Sequence, residues 1–526
     1  MSRRGLIRNT FTVGAFTALS RVLGLVREMM QSRLVGAGVQ QSAFALAFAI
    51  PNMARKMFGE GALTAAFVPV FKGELENGTN ESAARLARSV MTMVLLMLSA
   101  IALLAMGGLG LFAWLHESSG AASGRFVLTA SLVMTLLPYM VFICAAAFGM
   151  GVLNAMGRFK ASSFMPCLLN ICWICALAWL WFSGDQSADV RVKKISFAIL
   201  GAGVLQAAFM FWMMARRGVV PYPSFSGWRS EKVKTVWRNV AIGALGAGAI
   251  QINYMLDQLL AQLAAPWAAG VVGYAERLMD LPLGVIGVAF GTVLLPAFAG
   301  YFARDDVPGA KAAFSSSLSS MLYVMIPAGF GLAVLAPEAV SAIYQGGEFD
   351  ATATLRVSRA VAVYAAGMGF FGVQKVLVPW FHAQKDMKTP LKISVQMVIV
   401  NATLNIAAVA FLPVEFRHVG LAASTVVCAA AGSAVLYCAA KKKNGDMGIL
   451  AALRPIARYA AASAAMAALI FWLRPHVMHA VSGGKGAVFA FAALGLLSAA
   501  GACFYVLATK PREAIAFLCK RKRRQQ

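Results

Sequence analysis

The sequence predicts an all-α polytopic membrane protein of fourteen transmembrane helices. Three observations lead there. The 526 residues are 60% hydrophobic and only 13% charged, against about 45–50% apolar and about 25% charged in soluble domains; mean hydropathy is +0.71. Fourteen apolar segments can be counted, each long enough to cross a hydrocarbon core of about 30 Å at about 1.5 Å per residue. Lys and Arg then alternate between loops, about 31 on the side of both termini and about 8 on the other, which places both termini in the cytoplasm. This asymmetry accounts for the net charge of +26, so no nucleic-acid partner is needed to explain it.

The first segment spans 10–34 and follows a basic start without a small-residue cleavage site, so it is expected to be retained. The second, 41–71, is long and broken around Pro51 and Gly59-Glu60-Gly61. The third to sixth cover 87–115, 126–155, 162–182 and 195–215. A basic connection with Pro221 and Pro223 follows and reads as a linker. The seventh to tenth cover 240–264, 267–302, 312–335 and 357–381, and the last four 391–412, 419–440, 449–473 and 487–509. The motif Ala66-Phe67-Val68-Pro69 is echoed by Leu294-Leu295-Pro296, and Pro166 by Pro390, both about 225 residues on. That suggests two six-helix halves related as parallel repeats. The expected organisation is an N-lobe at 1–216, a linker at 217–238, a C-lobe at 239–443, the last two helices at 444–510 and a basic tail at 511–526. The tail, with Lys520 to Arg524, suits anionic phospholipid headgroups.

Charges inside these segments set the functional question. Arg21 and Arg27 lie in the first, Arg55, Lys56 and Glu60 in the second, and Glu276, Arg277 and Asp280 in the eighth. Each charge facing lipid at the midplane costs about 2.5–3.5 kcal/mol on insertion scales. A hydrated cationic cavity relieves that cost. A guanidinium there suits an anion with paired oxygens, because its planar fork donates two parallel hydrogen bonds. The competing arrangement pairs the arginines with Glu28, Glu60, Glu276 and Asp280. Arg21 and Glu28 are about 10 Å apart along one helix and cannot touch directly.

A second polar cluster stands apart. Asn253 and Asp257 share a face of the seventh segment, Asn401 and Asn405 share one on the eleventh, and Thr425 lies on the twelfth. One carboxylate among neutral oxygens suits Na⁺, and interhelical hydrogen bonding is the competing reading. The eight cysteines fall mostly in apolar helices and read as small packing residues, Cys172-Trp173-Ile174-Cys175 included. The five histidines form no metal-binding pair on a helix. No Walker motif is present, which argues against ATP coupling.

These residues carry a family resemblance. Ser20-Arg21-Val22-Leu23-Gly24 with Arg27, Pro51-Asn52 with Arg55 and Phe58, Glu60-Gly61-Ala62, and Ala66-Phe67-Val68-Pro69 resemble the N-terminal signature of the MurJ (MviN) lipid II flippases. Tyr274-Ala275-Glu276-Arg277-Leu278-Met279, with Pro282, Gly284, Gly287 and Leu295-Pro296, resembles the signature of their eighth helix. That family belongs to the multidrug/oligosaccharidyl-lipid/polysaccharide exporter superfamily. The resemblance implies two six-helix lobes in a V, with two C-terminal helices forming a groove for the lipid tail. It implies a multi-pass protein of the bacterial inner membrane that flips undecaprenyl-pyrophosphate-linked precursor to the periplasmic leaflet. It implies a substrate site at Arg21, Arg27, Arg55 and Arg277, with Glu60, Glu276 and Ser42 nearby, and a Na⁺ site at Asp257, Asn401, Asn405 and Thr425. Two departures stand out. An acidic residue often found before Ala43-Phe44 is Ser42 here, and an acidic cation ligand on the eleventh helix is Asn405.

The expected mechanism is alternating access, with Na⁺, H⁺ or the membrane potential resetting the carrier and no bound cofactor. The expected partners are lipid II, anionic phospholipids and peptidoglycan-synthesis proteins. The alternatives are a flippase for another polyprenyl-linked oligosaccharide and a cation-coupled exporter, which would gather carboxylates in its cavity in place of arginines. A membrane enzyme on polyprenyl phosphates would need an acidic or His cluster at one membrane face, and a scaffold would need no midplane arginines.

Overall fold

The computed structural model describes residues 3–118, 124–184, 186–449, 453–481 and 487–509. The basic tail from Lys520 to Arg524 lies outside the described residues. The described chain is helical almost throughout, and nine of its helices are long and apolar enough to cross a membrane, or ten if one bent pair forms a single span. Large apolar side chains stand on the outer surface, among them Leu104, Phe182 and Phe411, the last 85% exposed. A surface of that kind requires lipid as its solvent. The protein is a multi-pass membrane protein.

The chain divides into two compact units. The first comprises Met1–Gly270 together with the short stretch Gly346–Phe349, and the second Val271–Gln345 with Asp350–Gln526.

In the first unit α1 runs Arg3–Val35 and stops where Gly36 adopts φ +74°, returning its amide to the Ser32 carbonyl. A left-handed glycine is a common helix stop because it carries no Cβ. The broken second segment becomes α2 (Val39–Ala54), a π-helical stretch Arg55–Gly61, and α3 (Ala62–Asn77). Pro51 withholds an amide from the ladder, and π turns are commonly found at functional sites. The helix α4 (Asn80–Ser118) opens on a reciprocal cap in which Thr79 and Ser82 each accept the other's amide.

Four further helices complete this unit: α5 (Gly124–Ala155), α6 (Phe159–Phe182), α7 (Ala188–Ala215) and α8 (Glu231–Ala264). The connection before α8 is strapped to α4. Arg88 bonds the Val220 carbonyl and the Tyr222 hydroxyl, and Ser224 donates its amide to Thr92. Lys232 pairs with the buried Glu74, holding that carboxyl below the usual carboxylate range, and so ties α8 to α3.

The core of the unit is aromatic. Phe44 and Phe48 meet Trp173 edge-on, and Phe48 stacks on Tyr139. On α7, Gly203 lies under the Tyr139 ring, closer than any Cβ could sit. Gly203→Val is therefore expected to destabilise by about 1–3 kcal/mol through overpacking. A melting temperature equal to wild type would show that the ring yields freely.

The second unit holds α9 (Ala268–Phe302, beyond its first turn), α10 (Val307–Val334), α11 (Ala336–Tyr344), and the pair α12 (Ala351–Ala366) and α13 (Met368–Ala383), bent by 47°. The bend falls at Gly367, whose Cα lies against Val426. Two long helices follow, Lys388–Phe411 and Val414–Asn444, and then Ile456–Val481 and Ala487–Thr509. Trp380, fully buried, is ringed by Phe298, Phe302 and Phe314. The last two helices attach to α10 through Tyr323, which meets Tyr459 and Tyr505.

Candidate functional site

The four arginines singled out by the sequence have different surroundings. Arg27, on α1, is buried at 9% exposure. Its guanidinium donates to Glu28 at 2.5 Å and to Asn170 of α6 at 3.0 Å, and it lies over the Trp173 ring at 4.3 Å. Asn170 in turn donates to the Ser20 carbonyl at 3.1 Å. The charge is thus balanced by a neighbouring carboxylate, and the side chain is fixed by hydrogen bonds and an aromatic face. Arg21, two helical turns earlier, is exposed.

Arg55 opens the π stretch. Its Nε and Nη2 both donate to Asn52 Oδ1, at 3.2 and 2.8 Å. Its neighbour Lys56 lies 5.6 Å from the Tyr254 ring of α8. Arg27 and Arg55 both lie within electrostatic reach of the buried Tyr139 hydroxyl. Arg27 meets the aromatic core directly through Trp173, which packs on Phe44 and Phe48. The Glu60 side chain lies outside the described residues.

Ser42 is fully buried, and its hydroxyl accepts from the Gly270 amide at 2.9 Å. That amide is in the first turn of α9, where N–H groups lack intrahelical partners. A neutral hydroxyl suffices for this task. Asp257 accepts from Asn253 at 3.1 Å on the same helix.

In the second unit Arg277 is exposed, and Glu276 accepts from the Tyr364 hydroxyl at 3.4 Å. Asn401 and Asn405 are buried and bonded to each other at 3.0 Å, and Thr425 donates to the Leu421 carbonyl. The expected Na⁺ ligands are thus divided, Asp257 in one unit and the other three in the second. Each already uses an oxygen or a proton in a hydrogen bond, although carbonyl and carboxylate oxygens keep a second lone pair for a cation. Among the described residues no group of three or more His, Cys, Asp or Glu is placed to hold a metal.

Sequence reasoning missed three residues here. Asn170 fixes the Arg27 guanidinium and Tyr139 packs on Phe48 of the same aromatic core, and neither carries a charge to flag it. Lys375 did satisfy the criterion of a charge within an apolar segment. It is exposed, and its stem packs over Gly287 of α9, the helix that carries Arg277.

The family model described as "Lipid II flippase MurJ" matches residues 31–491. A "Probable lipid II flippase MurJ" of Vibrio cholerae serotype O1 is 32% identical over 445 residues, 82% of this chain and 82% of that protein. The "Lipid II flippase MurJ" of Burkholderia cenocepacia is 30% identical over 474 residues, covering 89% and 90%. Among solved structures, a lipid II flippase MurJ in an inward closed conformation superposes with a TM-score of 0.74 at 20% identity, covering 94% of this chain and 97% of that one. An inward-facing multidrug resistance transporter of the MATE family superposes at 0.66 with 15% identity, covering 81% and 96%. At such identities the structural likeness establishes the shared fold.

Proposed function

We propose, from the premise that this chain belongs to the lipid II flippase MurJ family, that it carries lipid II from the cytoplasmic to the periplasmic leaflet of a bacterial inner membrane. The family consists of transporters, not enzymes. The observation that carries the mechanism is the set of guanidiniums inside apolar helices: Arg21, Arg27 and Arg55 in the first unit and Arg277 in the second.

The barrier to unaided flipping is the pyrophosphate, because moving a bare charge into hydrocarbon is prohibitively costly. Guanidiniums lower it by paired, charge-assisted hydrogen bonds to phosphate oxygens. The surroundings suggest a division of labour. Arg21 and Arg277, both exposed, take the pyrophosphate directly. Arg27 and Arg55, held by Asn170 and Asn52, shape the positive field and keep α1 and the π stretch in position.

In this reading fourteen spans form two six-helix lobes that alternate in access. The last two helices guide the polyprenyl tail, and both termini face the cytoplasm. A cation at Asp257, Asn401, Asn405 and Thr425, or a proton, resets the carrier. Anionic lipids meet the basic tail, and peptidoglycan-synthesis proteins receive the product.

Arg21→Ala and Arg277→Ala are each expected to lower lipid II translocation in proteoliposomes by at least about tenfold, the equivalent of about 1.4 kcal/mol, at unchanged melting temperature. Native rates in both variants would remove the arginines from the mechanism. Preferential binding of another polyprenyl-linked sugar would replace lipid II as the substrate.

A further inference from the structure

A cleft of about 370 Å³ opens between the end of α1 and the end of α6. Its walls are Val26, Met29, Met30, Ala178, Trp181 and Phe182, and its charged lining residue is Arg33. Both helices stop here, α1 at Val35 and α6 at Phe182. The cleft therefore sits where a span meets the membrane boundary, the level that Trp and Arg favour. Trp181 is 50% exposed and Phe182 87%, so its mouth faces lipid.

Among the described residues, Arg33 has no carboxylate of its own. The nearby carboxylate, Glu348, is committed to Arg191 at 2.8 Å, and its amide is bonded to the Arg33 carbonyl. Arg33 forms no ion pair with any described residue, and its buried Nε has no hydrogen-bond acceptor among them. Arg33, Arg191 and Glu348 together leave one positive charge at the head of an apolar cleft. Two methionines in the wall give it an adaptable surface, since an unbranched thioether side chain refits readily to an irregular guest.

We propose that this cleft binds an anionic glycerophospholipid of the surrounding bilayer, with one acyl chain against Val26, Met29, Met30 and Ala178 and its phosphate on Arg33. The site is separate from the Asn170-anchored Arg27 and from the transported substrate. It requires only that the chain be embedded in a bilayer.

The test uses the full-length protein in phosphatidylcholine vesicles containing a photoactivatable phosphatidylglycerol, with labelled residues mapped by mass spectrometry. Label is expected at Met29, Met30 and Trp181. Arg33→Gln is expected to lower it at least fivefold, Arg33→Lys to retain most of it, and Ala178→Trp, which fills the cleft and keeps the charge, to remove it. Melting temperatures check that each variant is folded, and Ala178→Trp decides the matter if Arg33→Gln does not fold. Equal labelling by a photoactivatable phosphatidylcholine would overturn the proposal. So would label indifferent to both Arg33→Gln and Ala178→Trp. Displacement by undecaprenyl phosphate but not by unlabelled phosphatidylglycerol would assign the cleft to the carrier lipid and overturn it as well.

Discussion

Arg27→Ala is expected to cut translocation at least as deeply as loss of Arg21, and to lower the amount of folded protein as well. The substitution leaves Glu28, 8% exposed, as a carboxylate without its 2.5 Å partner. Removing one member of a buried ion pair costs about 3–5 kcal/mol, because the surviving charge stays desolvated. The contact with Trp173, about 0.5–2 kcal/mol, and the bond to Asn170 are lost with it. Arg27→Lys keeps the charge but cannot reach Glu28 and Asn170 in two directions from one planar group. It should fold better than the alanine variant and still transport poorly. The double variant Arg27→Ala with Glu28→Gln separates the two effects. It should recover folded protein, measured by thermal unfolding in detergent, without recovering lipid II translocation. Wild-type melting and transport in Arg27→Ala would contradict this account.

The second large effect is expected at the junction of α1 with the stretch Gly346–Phe349. Gly36 and Gly347 both have positive φ, +74° and +55°. A Cβ on Gly36 would stand 2.6 Å from the Glu348 carbonyl oxygen, and one on Gly347 would collide with the Arg33 carbonyl oxygen. The left-handed conformation alone costs an L-residue about 1–2 kcal/mol. Neither clash can be relieved by rotating a side chain, since both obstacles are backbone. Separating the two segments would also break the Glu348-to-Arg33 hydrogen bond and pull Glu348 from Arg191. Gly36→Ala and Gly347→Ala should each destabilise by more than the conformational cost, so that the melting temperature falls by several degrees. A melting temperature within a degree of wild type for either variant would show that the junction can open without penalty.

Much of the fold was legible because hydrocarbon imposes long apolar runs, and nine of the described helices, or ten if the bent pair is one span, are long and apolar enough to cross a membrane. The break in the second segment could be read from Pro51, Gly59 and Gly61. Its form could not, since an α kink and a π turn answer to the same residues. The bend at Gly367 was invisible, because a glycine among small residues does not announce whether a neighbour such as Val426 will press against it.

The site was legible as a list of charges and not as a set of partnerships. Pairing of the arginines with Glu28 was the competing arrangement, and Arg27 adopts it, although helix geometry favours contacts at three and four residues over neighbours in sequence. The Arg27–Glu28 pair forms because Asn170 and Trp173, on another helix, draw the guanidinium sideways. The pair Cys172 and Cys175 drew attention for its spacing, but both thiols are free, and of the two residues between them Trp173 meets the Arg27 guanidinium.

The widened turn from Arg55 to Gly61 has a consequence for sequence length. A helix closed from i to i+5 holds more residues per turn than one closed from i to i+4. Shortening the chain by one residue inside this stretch can tighten it to an ordinary α turn, with α3 still presenting Phe67 and Phe71, both almost fully buried. The same deletion inside α2, or in α3 ahead of Phe67, would rotate everything beyond it by about 100° and swing those rings away from Phe148, which Phe67 now meets at 4.7 Å. One-residue gaps should therefore be tolerated in the π stretch and not in α2 or in the part of α3 that precedes the rings.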